Sequence, residues 1–251
     1  MTTPMFLADL TFPKVKALLE SGAVALWPTG STEAHGPHLP LSTDVLIATE
    51  TCRRAVAAVK ERTNLDALIL PPLAFTITDY AAPFSGTISI PRETAVAYVR
   101  DVVLGASRHG FKCVCLVNAH LEPAHRYGLR DGVKAAEDAE CPVVIADPCD
   151  RRWVTTLTEE LQSGQCHAGQ YESSLIMAIE GAPIEDAVRA ELPERAIDLI
   201  GGMKAGKKDF LEMGATEGYF GRPAEASIAE GHATYEKLVD MVATTVQEAL
   251  A

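Results

Sequence analysis

The sequence predicts an α/β fold: a mainly parallel sheet with helices covering both faces. Three observations carry this. Short, apolar, β-branched runs recur along the chain. Helical periodicity fills the stretches between them, and polar loops or prolines end the runs. A chain of 251 residues can bury a sizeable core, and no linker, repeat or low-complexity tract divides it. Residues 1–251 are therefore read as a single domain.

The elements follow in order. "AVALW" (23–27) is a buried strand ended by Pro28. From Thr43 to Arg62, apolar residues recur at helical spacing, with Asp44 near the start and basic residues near the end. "LDALIL" (65–70) is a strand stopped by Pro71 and Pro72. A helix over 92–110 follows Pro91 and stops at Gly110. "KCVCLVN" (112–118) is a strand, 123–139 a helix, and "PVVIAD" (142–147) another strand. Helices over 172–180 and 232–250 complete the pattern.

Composition narrows the function classes. The formal net charge of −12 opposes binding to phosphate backbones, and basic residues cluster no further than short pairs such as Arg151-Arg152. No nucleic-acid partner is expected. No apolar run approaches the ~18 residues of a membrane span, and residues 1–20 lack a signal-peptide pattern. The six cysteines include no C-x-x-C pair, which points to reduced thiols and a cytoplasmic protein.

In parallel α/β folds, ligands bind beyond the carboxyl ends of the strands. Polar side chains cluster in the loops that follow these strands. "PTGSTEAHGPHLPLSTD" (28–44) places Glu33, His35, His38 and Asp44 in a loop whose glycines and prolines forbid a regular helix. "NAHLE" (118–122) places His120 and Glu122 after the third strand. In extended backbone, residues two apart point the same way, so Glu33 and His35 share a cavity, as do His120 and Glu122.

Two imidazoles and three carboxylates suit Zn²⁺ or Mn²⁺, with Fe²⁺ also compatible. Three negative charges balance two divalent ions plus a bridging hydroxide. Asp44 would bridge ions roughly 3.5–4 Å apart. Singly, each of these residues is an ordinary polar side chain. His38 reads as hydrogen-bonded behind the ligands rather than on a metal. In "CHAGQYESSL" (166–175), Glu172 is either a favourable partner for a helix dipole or a residue that orients a ligand or His167.

These segments resemble the signature of the creatininase family of metal-dependent amidohydrolases. The likeness lies in "TGSTEAHGPHLPLSTD", "FSGTISI" (84–90), "NAHLE", "HAGQYESS" (167–174) and "GYFGRPAEASIAEG" (218–231), in order along nearly the whole chain. The resemblance implies a three-layer α/β sandwich, two divalent metal ions per chain and a homo-oligomer, often a hexamer built from dimers. By position, Glu33, Asp44 and His120 would hold one ion, and His35, Asp44 and Glu122 the other. His167 would move a proton, and Glu122 would also steer the water. Trp153 falls close to a tryptophan that closes over substrate in creatininase. Thr78, Asp79, Tyr80 and Leu121 are further candidates for touching substrate.

Leu121 and Pro123 replace more polar residues of the family, and Thr76 stands where relatives usually carry glycine. The expected activity is hydrolysis of a C–N bond in a small cyclic amide, creatinine-like or a related ring. The alternatives are a deformylase, a peptide-trimming hydrolase or a hydrolase of another small ring. A metal-holding protein without turnover is the reading from a different class, and a closed, fully protein-ligated site would support it.

Overall fold

The computed structural model describes residues 3–251. Five strands form one sheet in the order β1-β3-β2-β4-β5, and every pairing is parallel. They are β1 (Met5–Phe6), β2 (Ala23–Thr29), β3 (Asp66–Ile69), β4 (Val114–Asn118) and β5 (Val143–Ala146). The longer helices of the first half are α1 (Phe12–Glu20), α2 (Thr43–Thr63), α3 (Arg92–Arg108) and α4 (Pro123–Ala135). Short helices α5 (Arg151–Val154) and α6 (Glu159–Ser163) precede α7 (Gln170–Met177). Then come α8 (Asp186–Ala190), α9 (Leu199–Lys204), α10 (Phe210–Met213) and the terminal α11 (Ile228–Leu250).

Alternation along β2 builds the three layers. Val24 and Leu26 pack with α2, α7 and α11 on one face. Ala23, Ala25 and Trp27 pack with α1, α3 and α4 on the other. A strand buried on both faces reads as a continuous apolar run, as "AVALW" does.

The chain leaves β2 towards β3, then returns across the sheet to β4 and continues outward to β5. The direction of winding therefore reverses between β2 and β4. A crevice opens beyond the carboxyl ends of strands at such a point, and the loops after β2 and β4 border it.

The structure differs from the sequence reading at several boundaries. β2 runs through Pro28 to Thr29, with Pro28 in register with Val117. Pro28 is tolerated because its carbonyl accepts from Leu73 N on the β3 flank, where β3 has already ended and needs no donor in return. α4 stops at Ala135 rather than Ala139, where Ala136 leaves helical geometry (φ −91°, ψ 45°). α7 begins two residues before Glu172 because the buried Glu160 carboxylate accepts from Gln170 N (2.9 Å) and Tyr171 N (2.7 Å). That cap comes from ten residues upstream, beyond a local reading. α11 begins at Ile228, where the Ser227 hydroxyl accepts from Glu230 N. β1 and α1 lie in the N-terminal stretch, which the sequence reading left unassigned.

α11 crosses α7 closely at Gly231. A Cβ there would lie 1.9 Å from Ser174 O and 2.8 Å from the Ala178 side chain. Gly231→Ala is expected to destabilise the chain by about 2 kcal/mol, overpacking outweighing the helix propensity that alanine adds. A chemical-denaturation midpoint unchanged from wild type would show that the crossing is not tight.

Candidate metal centre

β2 delivers the chain into the 30–42 loop, which folds back so that Asp44, in the first turn of α2, stands over the strand end. Gly30 makes this possible. A Cβ there would lie 2.6 Å from Val45 N and 2.8 Å from Asp44 Cβ. At the end of β4, Asn118 closes the turn that aims His120. Its Oδ1 accepts from His120 N (3.1 Å), and its Nδ2 donates to His120 O (2.9 Å). His125, fully buried, braces Asn118: its Nε2–H donates to Asn118 Oδ1 (3.0 Å), while Thr76 Oγ1 donates to its Nδ1 (2.8 Å).

Three groups of donor atoms form, each within 4.8 Å: Glu33-His35-His167, Glu33-Asp44-His120 and His35-Asp44-Glu172. Asp44 belongs to two of them. Its Oδ1 lies 3.1 Å from His35 Nε2 and its Oδ2 lies 2.9 Å from His120 Nδ1. Ser31 Oγ donates to the same Oδ2 at 2.8 Å. Glu33 Oε1 stands 3.7 Å from His35 Nε2 and 3.4 Å from His120 Nδ1. Glu172 Oε2 stands 3.6 Å from His35 Nε2 and accepts from Ala168 N at 2.6 Å.

The imidazole tautomers follow from backbone carbonyls, which only accept. His35 Nδ1 faces Glu33 O (3.1 Å), His120 Nε2 faces Ile77 O (3.0 Å) and His167 Nε2 faces Ala34 O (3.0 Å). In each ring that nitrogen carries the proton. The other nitrogen of His35 and His120 then turns a lone pair towards carboxylate oxygens. Acceptor against acceptor is repulsive in a buried site, so each contact needs either a second proton or a cation.

The electrostatics express the same conflict. Burial would lower the pKa of His35, yet Asp44, Glu172 and Glu33 push it up to about 10. His120 is likewise held well above the ordinary value, by Glu33 and Asp44 against burial. Burial would raise Asp44, but His35 and His120 hold its carboxyl far below the usual range. Burial raises Glu172 to about 8. Burial and then the neighbouring His35 lower His167 to about 4, so its imidazole is neutral near pH 7. Two imidazoles and three carboxylates form a donor set that fits borderline divalent cations.

The structure differs from the sequence expectation at three residues. Glu122 belongs to none of the three groups. Its oxygens accept from Asp79 N (3.1 Å) and Tyr80 N (3.2 Å), because as N-cap of α4 it reaches across to the 79–80 turn. Glu172, expected behind the ligands, stands beside His35 and Asp44 instead. Trp153 sits on α5 beneath the Arg152 guanidinium, 4.5 Å from its ring, and is not among the residues lining the cavity described next. His38 lies outside the groups, with Nε2 3.0 Å from Ser173 Oγ. Thr78 donates its hydroxyl to Glu33 Oε2.

A cavity of about 100 Å³ opens over the cluster, with Glu33, Asp44, His120, Glu122, His167 and Glu172 among its lining. Tyr80 and Leu121 line it. Leu199, Met203, Phe210 and Phe220 also line it, and the sequence reading missed them. Only Phe220 carried a signal, since it lies inside the "GYFGRP" segment. A larger groove, about 980 Å³, lies between α1 and α3, with Phe12 and Tyr98 on its rim. Among the described residues it contains no grouping of metal-ligating side chains.

Comparison with known proteins gives the family and the fold. The chain is 31% identical to creatinine amidohydrolase of Pseudomonas putida over 128 residues, about half of each chain (49% and 47%). It is 27% identical to mycofactocin precursor peptide peptidase of Mycolicibacterium smegmatis, covering 89% of this chain and 84% of the relative. A crystal structure of creatinine amidohydrolase superposes with TM-score 0.75 over the whole of both chains at 24% identity. A manganese form of creatininase superposes with TM-score 0.74 at 23% identity over 98% of both chains. The family model for creatininase, described as creatinine amidohydrolase, matches residues 8–246. The chain thus belongs to the creatininase family and is a metal-dependent hydrolase of that family.

Proposed function

We propose that this protein is a binuclear amidohydrolase that cleaves a C–N bond of a small cyclic amide. One observation carries the reading: Asp44 turns one oxygen to His35 and the other to His120, joining two donor groups through one carboxylate. Glu33, Asp44 and His120 would hold one ion, and His35, Asp44 and Glu172 the other. Zn²⁺, Mn²⁺ and Fe²⁺ all suit these donors. When bound, such a pair lowers the pKa of a water and polarises the substrate carbonyl.

The chain's own residues do the rest. Thr78 fixes the outer oxygen of Glu33. His167, with its proton committed to Ala34 O, presents Nδ1 as an acceptor 3.8 Å from Glu33 Oε1. It accepts the proton lost by the attacking water and returns it to the leaving nitrogen. Glu122, held by two backbone N–H groups at the cavity, accepts the substrate's N–H. Because the donor groups open onto a cavity rather than closing on themselves, turnover is favoured over a purely structural metal site.

A peptide-trimming activity is the second reading, favoured by the coverage of the peptidase relative. The cavity volume of about 100 Å³ supports the smaller substrate. On this reading residues 1–251 act as one cytoplasmic hydrolase domain within a homo-oligomer. The single sheet shared by both cores supports the one-domain part.

Metal analysis of purified variants tests the ligand set. Wild type is expected to hold about two ions per chain. Asp44→Asn should lose both, Glu172→Gln about one and Glu122→Gln none. Loss of an ion in Glu122→Gln but not in Glu172→Gln would reverse that assignment. His167→Ala should keep its metal and lose about 10²–10⁴-fold in kcat.

Metal-free protein should titrate distinctively. His35 rises from 6.5 to about 10 on folding without a cation. Its contribution to stability is therefore complete below pH 6.5 and is lost as pH rises through about 10. Metal-loaded protein should lack that loss. Adding metal near pH 7 should release about three protons per chain, one from each raised imidazole and one from Glu172, as an indicator dye would record. Release of none would mean that these histidines are already neutral without metal.

A further inference from the structure

Resting on that reading, we infer the substrate class of the site: a small, uncharged amide whose carbon skeleton away from the scissile bond is apolar. The inference comes from what lines the cavity beside the donor cluster. Leu121, Leu199, Met203, Phe210 and Phe220 form that wall together with Tyr80. No Lys, Arg, Ser, Thr, Asn or Gln side chain contributes to the lining. The site therefore offers a substrate carboxylate no cationic side chain apart from the histidines. It offers a hydroxyl or exocyclic amine few partners beyond Glu122 and the Tyr80 hydroxyl. A polar substituent directed at the wall would be buried without a hydrogen bond.

The wall is not an accident of a nearby core. Ala81, Phe210, Met213, Ala215 and Phe220 form an apolar cluster separate from the two that sandwich the sheet. Leu199, Met203 and Tyr80 pack against it. Phe210 ties this cluster to the site: its N donates to Tyr80 O (2.9 Å), and its ring stacks on Tyr80 with centroids 5.8 Å apart. The same ring lies 4.5 Å from the imidazole of His167. Apolar carbon thus reaches the group assigned to proton transfer.

Volume sets the size limit. An apolar cavity of about 150 Å³ holds a benzene ring, so about 100 Å³ limits the substrate to a small ring of no more than five atoms with at most one small substituent. The reaction balances without a further reagent. Water adds across the acyl C–N bond, hydroxyl to carbon and proton to nitrogen. The bond opens to a carboxylic acid and an amine.

The test compares substituents of equal size. For binding, 3-methyl- and 3-hydroxy-2-pyrrolidinone are titrated into metal-loaded protein by calorimetry. For turnover, 3-methyl- and 3-hydroxy-2-azetidinone are compared by kcat/KM with and without chelator. The methyl compound is expected to win by about tenfold or more in both assays. Met203→Gln, close in shape but polar, should erase the preference, and Leu199→Asn serves as the independent second variant. Both are checked for fold and metal content. Equal or reversed preference in wild type overturns the inference. So does a preference unchanged in both folded, metal-loaded variants. Failure of the hydrolase reading would look different: neither azetidinone would turn over, while the methyl pyrrolidinone still bound better.

Discussion

Buried lone pairs facing buried carboxylates are the constraint around which this molecule is organised. His35 and His120 each commit one nitrogen to a main-chain carbonyl, so the other confronts Asp44 within 3.1 Å or less. Such an arrangement is stable only with positive charge between the partners, supplied by protons or by cations. Everything else in the site serves to hold these groups in opposition: Ser31 on Asp44, Thr78 on Glu33 and the Ala168 amide on Glu172.

The fold makes that opposition affordable by bringing two loops to one place. The reversal of winding between β2 and β4 leaves a crevice, and both strands end there. Gly30 lets α2 begin directly over the end of β2, and Asn118 locks the turn after β4. Backbone and amide contacts of this kind position side chains to within the tolerance that metal coordination demands.

The sheet and its helices were legible because apolar periodicity is local. Glu33, His35 and His120 sit in loops directly after strands and Asp44 in the first turn of α2, and the structure brings their donor atoms together. That Glu172 rather than Glu122 stands beside His35 and Asp44 was not legible. It depends on Asp79 and Tyr80 occupying the oxygens of Glu122 from more than forty residues away. The start of α7 was hidden for a similar reason, since Glu160 caps it from another helix. Trp153 was placed by likeness alone, and a short helix carries it beneath Arg152 instead of into the cavity. The wall from Leu199 to Phe220 lies in a segment of short helices and glycines whose pattern signals neither strand nor long helix.

That wall has an architectural consequence. The donor atoms come from the 30–44 and 118–120 turns and from the first turn of α7, whereas most of the apolar lining comes from 199–220. Chemistry and selectivity thus occupy different stretches of chain, joined by the aromatic contacts of Phe210 and Phe220 with His167 and by backbone bonds from Gly36 N to Gly218 O and from Phe220 N to His167 O. The stretch from Leu199 to Met213 can thus vary like a replaceable lining, while 218–220 stays pinned to the donor loop as its anchor.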